Sequence, residues 1–507
     1  MPSAPPQADP YARAAAKFAL SCKLASIESL IDWDAQTNMP KGGSWARGEQ
    51  RGALAEVMSD LTGAPEIGAL LDEAQGYANV LGEAERANLA EMRRLYAHRA
   101  AVPKELLVER ARISQALQAT WVDAKKNSDW AAFAPGFKAL MAIHREVAAA
   151  KSAALGLAPY DAMMDEQDPG LTMATIDPIF DDLAAELPGI LAEVRERQAK
   201  WPPVAEFTGD FSVARQTKLS QRLALVVGHD PNTSRIDEAP HPFSMPHSPG
   251  DVRFTTRYDI DKFRYSVMAT LHEAGHSMYE LNLPRGHAFS PVGFARGASA
   301  HESQSLMLEM MAGRSKEFVR FLAGLLPEYF GDGPCWDPRN LLNYIRRVDD
   351  GFIRVEADEI SYPLHVILRY RLERALLAGD LAVDDVPGAW NETFGKLFGR
   401  VPPDHARGCL QDIHWAAALL GYFPNYALGE ALAAQLFEKA CADDPLVVPA
   451  LGRGDFGPYF AWVKPRIHEQ ASLRSFDDIV VAATGSKLSG EALKRHLRRR
   501  YLEEALD

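Results

Sequence analysis

Cysteine is scarce here: 507 residues hold four, Cys22, Cys335, Cys409 and Cys441, and no two of them form a CxxC pair. That scatter excludes a disulfide-built scaffold, a zinc ribbon and a dithiol redox motif, and suits a chain kept in a reducing cytosol. Long apolar runs are missing too: no stretch approaches the roughly 20 consecutive apolar residues that a membrane-crossing helix needs. The opening MPSAPPQADPYAR has no basic segment followed by an apolar core, so no secretory signal is read. Positive charge is in short supply, with 55 Lys and Arg against 68 Asp and Glu and a formal net charge of −13, which argues against nucleic acid or an anionic membrane as a partner. The one basic run, residues 494–500 in LKRHLRRRYLEE, is flanked by Leu493, Leu497 and Tyr501 at four-residue spacing and reads as the solvated face of a terminal helix.

What remains is an ordinary globular composition, 47% hydrophobic and 24% charged, long enough to bury a large core. Helical periodicity dominates the first half. Leu24, Ile27, Leu30 and Ile31 share a stripe within residues 11–34, Pro103 stands where a helix begins, and Ile176, Ile179, Phe180, Leu183, Leu187, Ile190, Leu191 and Val194 trace one apolar side. The texture changes near Ile236, and Val252, Phe254, Thr256 and Tyr258 alternate with Arg253, Thr255 and Arg257 at strand spacing. Helices then return, among them one expected over residues 346–377. With no internal repeat and no long polar linker, the expectation is a single mainly α body of two lobes around a cleft, with a small β-ribbon beside the active site. Its parts are a helical lobe over residues 1–235, the ribbon and catalytic helices over 236–430, and closing helices over 431–507.

One stretch carries chemistry. Residues 263–283 read as a helix ending at Pro284, and within it runs Leu271-His272-Glu273-Ala274-Gly275-His276. One helical turn apart, His272 and His276 face the same way and can hold one zinc ion at about 2.0–2.1 Å. Glu273, rotated off that face, can take a proton from a water beside the ion. This is the HExxH pattern of zinc peptidases. Gly275 sharpens it, because a glycine inside a helix costs roughly 1 kcal/mol relative to Ala and needs a reason.

A catalytic zinc needs a third ligand. The metzincin extension asks for Gly at 279 and His at 282, but Tyr279 and Asn282 stand there. A loop rich in Gly and Pro follows, then His301-Glu302-Ser303-Gln304-Ser305, whose Glu302 a second helix can bring to the imidazoles. Glu280 and Glu309 are rival ligands, and the spacing of Ser299 and Glu302 also fits a capping box in which the glutamate is purely structural.

Several stretches together resemble the carboxypeptidase Taq family of zinc metallocarboxypeptidases: His241-Pro242-Phe243, Asp251-Val252-Arg253-Phe254-Thr255, the HEAGH run, His301-Glu302-Ser303-Gln304-Ser305, Ile353-Arg354-Val355-Glu356-Ala357-Asp358 and Gly408-Cys409-Leu410-Gln411-Asp412-Ile413-His414-Trp415. The likeness spans nearly the whole chain. It implies His272, His276 and Glu302 as ligands of one divalent ion per chain (zinc expected, cobalt the alternative) and Glu273 as base. It also implies a two-lobed helical fold similar to neurolysin and angiotensin-converting enzyme, a cytoplasmic homodimer, peptide substrates, and broad release of C-terminal residues other than after proline. The family pattern continues HESQS with Arg and then Trp-Glu-Asn, whereas Leu306 and Leu308-Glu309-Met310 stand here, so the packing behind the ligand is expected to differ.

A C-terminal exopeptidase must hold a free carboxylate, which a guanidinium does best. Arg354 is the first candidate, unless a salt bridge to Asp358 occupies it, and Arg253 the second, unless Asp251 does. His414 is expected to bind that carboxylate or the developing oxyanion, Tyr422 to be a second oxyanion donor, and His241 and His301 to orient the substrate or supporting groups; for each of these four, simple packing is the competing reading. An oligoendopeptidase shares the metal site but cuts internally, and an aminopeptidase commonly carries a GxMEN stretch, which is not found here. A non-catalytic peptide-binding relative is expected to have lost Glu273 or a ligand, and none is lost.

Overall fold

The computed structural model describes residues 9–349 and 351–505; residues 1–8, where most of the leader reading fell, lie outside it. Three helices, Pro10–Thr37, Pro65–Gln75 and Glu83–Ala100, close a small core of their own around Ala14, Phe18, Ile67, Leu71, Leu89 and Met92, with the helix Ser44–Gly63 packed alongside. A second, far larger core runs from Val102 to Tyr501 without a break at either expected boundary. Its floor is the long helix Met173–Gln198, whose Ile176, Phe180, Leu183, Leu187, Ile190, Leu191 and Val194 are all buried, as the apolar stripe requires.

Strands β1 (Ser234–Glu238), β2 (Ser244–Ser248) and β3 (Asp251–Thr256) form the sheet among the described residues, in the order β1-β3-β2. β3 pairs with β1 in parallel, Ile236 opposite Phe254, and with β2 antiparallel through a short turn, Ser244 opposite Phe254. Val252 and Phe254 point inward and are buried. Behind Phe254 lies His229, whose ring bonds at 3.3 Å to the carbonyl of Ala274 in the HExxH helix, so the ribbon is seated on that helix. On its other side β2 meets the first helix, where Trp33 packs edge-on against Phe243 and His247.

One expectation fails and a second holds only in part. Residues 346–377 are not one helix: the chain leaves a helix at Ile345, has a 3₁₀ turn at Arg354–Glu356 as the one regular element among the described residues that follow, and re-enters at Tyr362–Ala378. Pro363 opens the new helix, and Asp358 accepts from the Ile360 and Ser361 N–H groups at 2.8 and 3.0 Å, which the helical apolar pattern concealed. The basic run is a solvated face only in part, for Arg495 and Arg499 are exposed and others turn inward. Lys494, His496 and Arg500 are 7%, 5% and 5% exposed; Lys494 is drawn in by Asp182 and Glu491, and Arg500 by Glu359.

Candidate metal centre

The HExxH helix spans Phe263–Leu281 and the Glu302 helix Gly297–Leu306. They cross tightly because Gly275 has no side chain: a Cβ there would lie 2.3 Å from the Gln304 carbonyl oxygen and 2.6 Å from the Ser305 Cα. Gly429, in the helix Pro424–Asp443, does the same on the far side, where a Cβ would come within 2.7 Å of the Glu302 Cβ. The N-terminus of the Glu302 helix is fixed by Asp168, whose Oδ2 accepts from the Ser299 N–H at 3.0 Å. Glu302 thus sits inside its helix, and the capping-box alternative falls away.

The result is convergence. Nε2 of His272 lies 4.0 Å from Glu302 Oε1, Nε2 of His276 lies 3.5 Å from Glu302 Oε2, and the three candidate donors fall within 4.8 Å of one another. Tetrahedral ligands at about 2.1 Å from a zinc ion stand about 3.4 Å apart. The set therefore fits such an ion with small side-chain rotations. The Nδ1 atoms are already engaged, that of His272 with Glu309 Oε2 at 2.9 Å and that of His276 with the His301 carbonyl at 3.1 Å, which leaves both Nε2 atoms facing Glu302. Glu309 is thereby a supporting acceptor rather than the rival ligand, and Glu280 bonds His301 Nε2 at 3.0 Å instead.

The charges of the group act strongly on one another. Burial opposes charge on His272, but its bond to Glu309 and the nearby carboxylates push it up to about 10, while burial and the other two imidazoles pull His276 down to about 4. Burial opposes charge on Glu302 as well, and the histidines outweigh it and hold the carboxyl below its ordinary range. Beside them Glu273 is 6% exposed, and its Oε2 has no hydrogen-bond partner among the described residues. Burial, helped by the charges of Glu302 and Glu309, raises it to about 7. An unpartnered buried carboxylate oxygen next to three metal-type donors is the signature of a place for water and an ion.

A second cluster faces the first. Arg354 stacks on Tyr426 at 4.7 Å and on Phe423 at 5.6 Å, and its Nε and Nη2 donate to Asp412 Oδ1 at 3.1 and 3.0 Å. Asp358 is not its partner. Arg369 donates to the other oxygen of Asp412 at 2.7 Å, so two guanidinium groups share one carboxylate and leave a net positive charge. His414 Nε2 bonds the Tyr426 hydroxyl at 3.0 Å, and Tyr422 packs at 6.0 Å from the His414 ring and within electrostatic reach of Glu302 and Glu273. Glu373, fully buried, accepts from Trp415 Nε1 and from the Gly421 N–H, both at 3.0 Å, and so closes the loop between His414 and Tyr422.

The remaining candidates sit further out. His301 stacks on His276 at 4.4 Å; Arg253 is taken up by Asp251 through two 2.8 Å bonds and faces Trp33; His241 has an exposed ring and lends its carbonyl to Thr255 at 3.4 Å. Sequence reasoning missed Asp412, Tyr426 and Asp168. The first two were within reach, since Asp412 lies in the QDIHW motif and Tyr426 stands four residues past Tyr422; Asp168 acts from over a hundred residues away and left no local signal.

The same arrangement of chain is found in known proteins. The sequence is 36% identical to thermostable carboxypeptidase 1 of Thermus thermophilus over 94% of this chain and 95% of that one, and 33% identical to carboxypeptidase 1 of Bacillus subtilis over 93% and 94%. The solved structure of Trypanosoma cruzi metallocarboxypeptidase 1 superposes with a TM-score of 0.95 at 37% identity, covering 97% of this chain and 99% of that one. The sequence profile of the Carboxypeptidase Taq (M32) metallopeptidases matches residues 14–501. A match that long, in a chain whose His272, His276 and Glu302 donors meet at one point, makes this chain a metallocarboxypeptidase of the Carboxypeptidase Taq (M32) family.

Proposed function

We propose that this protein removes the C-terminal residue of peptides with broad acceptance of side chains, using one divalent ion, zinc or alternatively cobalt, held by His272, His276 and Glu302. The observation that carries this reading is the meeting of those three donors beside the unpartnered Oε2 of Glu273. Bound there, such an ion would supply Lewis acidity to the scissile carbonyl and to a neighbouring water. Glu273 takes the proton from the attacking water and returns it to the departing amine. Tyr422 donates its phenolic proton toward the carbonyl oxygen as charge develops there. The Arg354, Arg369 and Asp412 group, one positive charge in excess, attracts the free carboxylate of the substrate, with His414 held beside it by Tyr426. His301 steadies His276, and Arg253 and His241 line the approach on the ribbon side.

A peptide with a free C-terminus is expected to shorten by single residues, and its C-terminal amide to resist; mass spectrometry of both after incubation decides. Internal cuts in the amide would favour an oligoendopeptidase. Arg354→Lys keeps the charge but loses the paired geometry, so KM should rise about tenfold to a hundredfold with a smaller change in kcat. Because Glu273 must be ionised to accept a proton and burial raises it, activity should fall as pH drops through its value. The positive ion lowers that value, so the acid limb of kcat/KM is expected below about 7. A limb well above 7 would contradict the assignment.

The whole chain is proposed as a single catalytic domain, acting in the cytoplasm, where its four free cysteines suit a reducing milieu; among the described residues no helix is long and apolar enough to cross a membrane. A homodimer is supported by apolar side chains left on the surface of the N-terminal helices, with Trp45 79%, Ile27 48% and Leu20 46% exposed. Sedimentation at micromolar concentration tests it.

A further inference from the structure

Two features of the sequence lie outside the reaction as described: the basic run near the C-terminus and the departure Leu306-Met307-Leu308-Glu309-Met310 behind the Glu302 ligand. They touch each other. Directly after the Glu302 helix the chain widens into a π-turn, Met307–Ala312, closed by the Gly313 N–H on the Leu308 carbonyl at 2.8 Å. Such turns insert one residue into a helix and re-aim the side chains around it. Here the side chain so aimed is Glu309, the acceptor for His272 Nδ1, with its other oxygen held by Arg314 Nη2 at 3.2 Å. Leu306, Leu308, Met310 and Met311 are at most 3% exposed and provide no polar anchorage.

The anchorage comes from the other end of the chain. Arg500 donates through Nη1 to the Met310 carbonyl at 2.5 Å and through Nη2 to the Met311 carbonyl at 2.6 Å. Its charge is balanced by Glu359 at 2.5 Å, itself fixed by the Tyr501 hydroxyl at 2.6 Å. Arg346 binds the cluster together, reaching the carbonyls of Arg314 at 2.8 Å and Arg500 at 3.4 Å. A planar guanidinium spanning two successive carbonyls fixes the orientation of the turn, which a single donor would not.

We infer that Arg500 is a positioning residue for the metal site: by pinning the π-turn it places Glu309 against His272 and so sets how tightly the ion is held. This rests on the metal reading of His272, His276 and Glu302. A carboxylate partner fixes the ring and raises its basicity, and loss of such a partner typically costs 10–100-fold in metal affinity.

The test is zinc affinity of the full-length, metal-stripped protein, measured by competition with a chromophoric chelator, with helical circular dichroism as the check on folding. Arg500→Lys keeps a cation beside Glu359 but cannot span both carbonyls; should it fail to fold, Arg500→Met with Glu359→Gln removes both charges together. Arg498→Met, on the outer face beside Glu186, is the control. Glu309→Gln and the Arg500 variants are each expected to weaken zinc binding about tenfold or more, the control to leave it unchanged, and the Arg500 change to add little in a Glu309→Gln background. Wild-type affinity in both Arg500 variants, or a loss that simply adds to that of Glu309→Gln, would overturn the inference while leaving the carboxypeptidase reading intact. A wild-type protein that binds no zinc would overturn both.

Discussion

Glu273→Gln is expected to keep one divalent ion per chain and to lose about 10²–10⁴ in kcat. The replacement has the same shape, so the helix crossing and the three donors are undisturbed. What it lacks is a lone pair basic enough to take a proton at neutral pH. Glu273 is suited to the role because burial raises it to about 7 and its Oε2 has no partner to compete for it. The charge removed is one of several carboxylates around His272, so metal binding should change far less than turnover. Metal analysis and single-residue release from a free-ended peptide, measured on the same preparation, check both halves. Turnover near that of the wild type would reject the base.

The second large effect concerns a residue that touches no substrate. Gly275→Ala should gain roughly 1 kcal/mol in helix propensity, and if that term ruled, the variant would be more stable. The competing term is a Cβ set 2.3 Å from the Gln304 carbonyl oxygen and 2.6 Å from the Ser305 Cα, against the 3.4 Å or more of ordinary contact. Both obstacles are backbone, so a whole helix must move by about 1 Å, and overpacking of this kind costs about 1–3 kcal/mol. The moving helix carries Glu302. We therefore expect a lower melting temperature and zinc affinity reduced by at least tenfold, read by thermal unfolding and chelator competition; unchanged affinity would mean that the glycine does not set the approach of the ligand.

That glycine also illustrates what could be read beforehand. Its presence beside two histidines and a glutamate looked unjustified by stability alone, and the close helix crossing supplies the reason. The HExxH helix was legible because periodicity and Pro284 bound it, and the sheet because Val252, Phe254 and Thr256 alternate. Arg354 was misplaced in a helix because Ile353, Val355 and Ile360 mimic helical spacing, while the bonds that break the helix, from Asp358 to Ile360 and Ser361, depend on loop geometry. Its true partner, Asp412, comes from a motif 58 residues on. From sequence Glu309 can be read only as a rival to Glu302, since whether a carboxylate meets Nε2 or Nδ1 of His272 is decided by a π-turn that leaves no mark in hydrophobic spacing. The buried half of the basic run is hidden from sequence for the same kind of reason: Glu359 buries Arg500, and the two are far apart in sequence. Local order was readable and so was the Glu302 partner of the two imidazoles, which a motif marks; the unmarked long-range polar partners were not.

The measurement that bears most directly on all of this is the metal content of the purified wild-type chain beside that of Glu302→Ala, determined by plasma mass spectrometry after dialysis against a weak chelator. One divalent ion per wild-type chain and almost none in the variant, with helical content unchanged, is the outcome predicted from a three-donor centre. A Glu302→Ala protein that still keeps one ion per chain would contradict it.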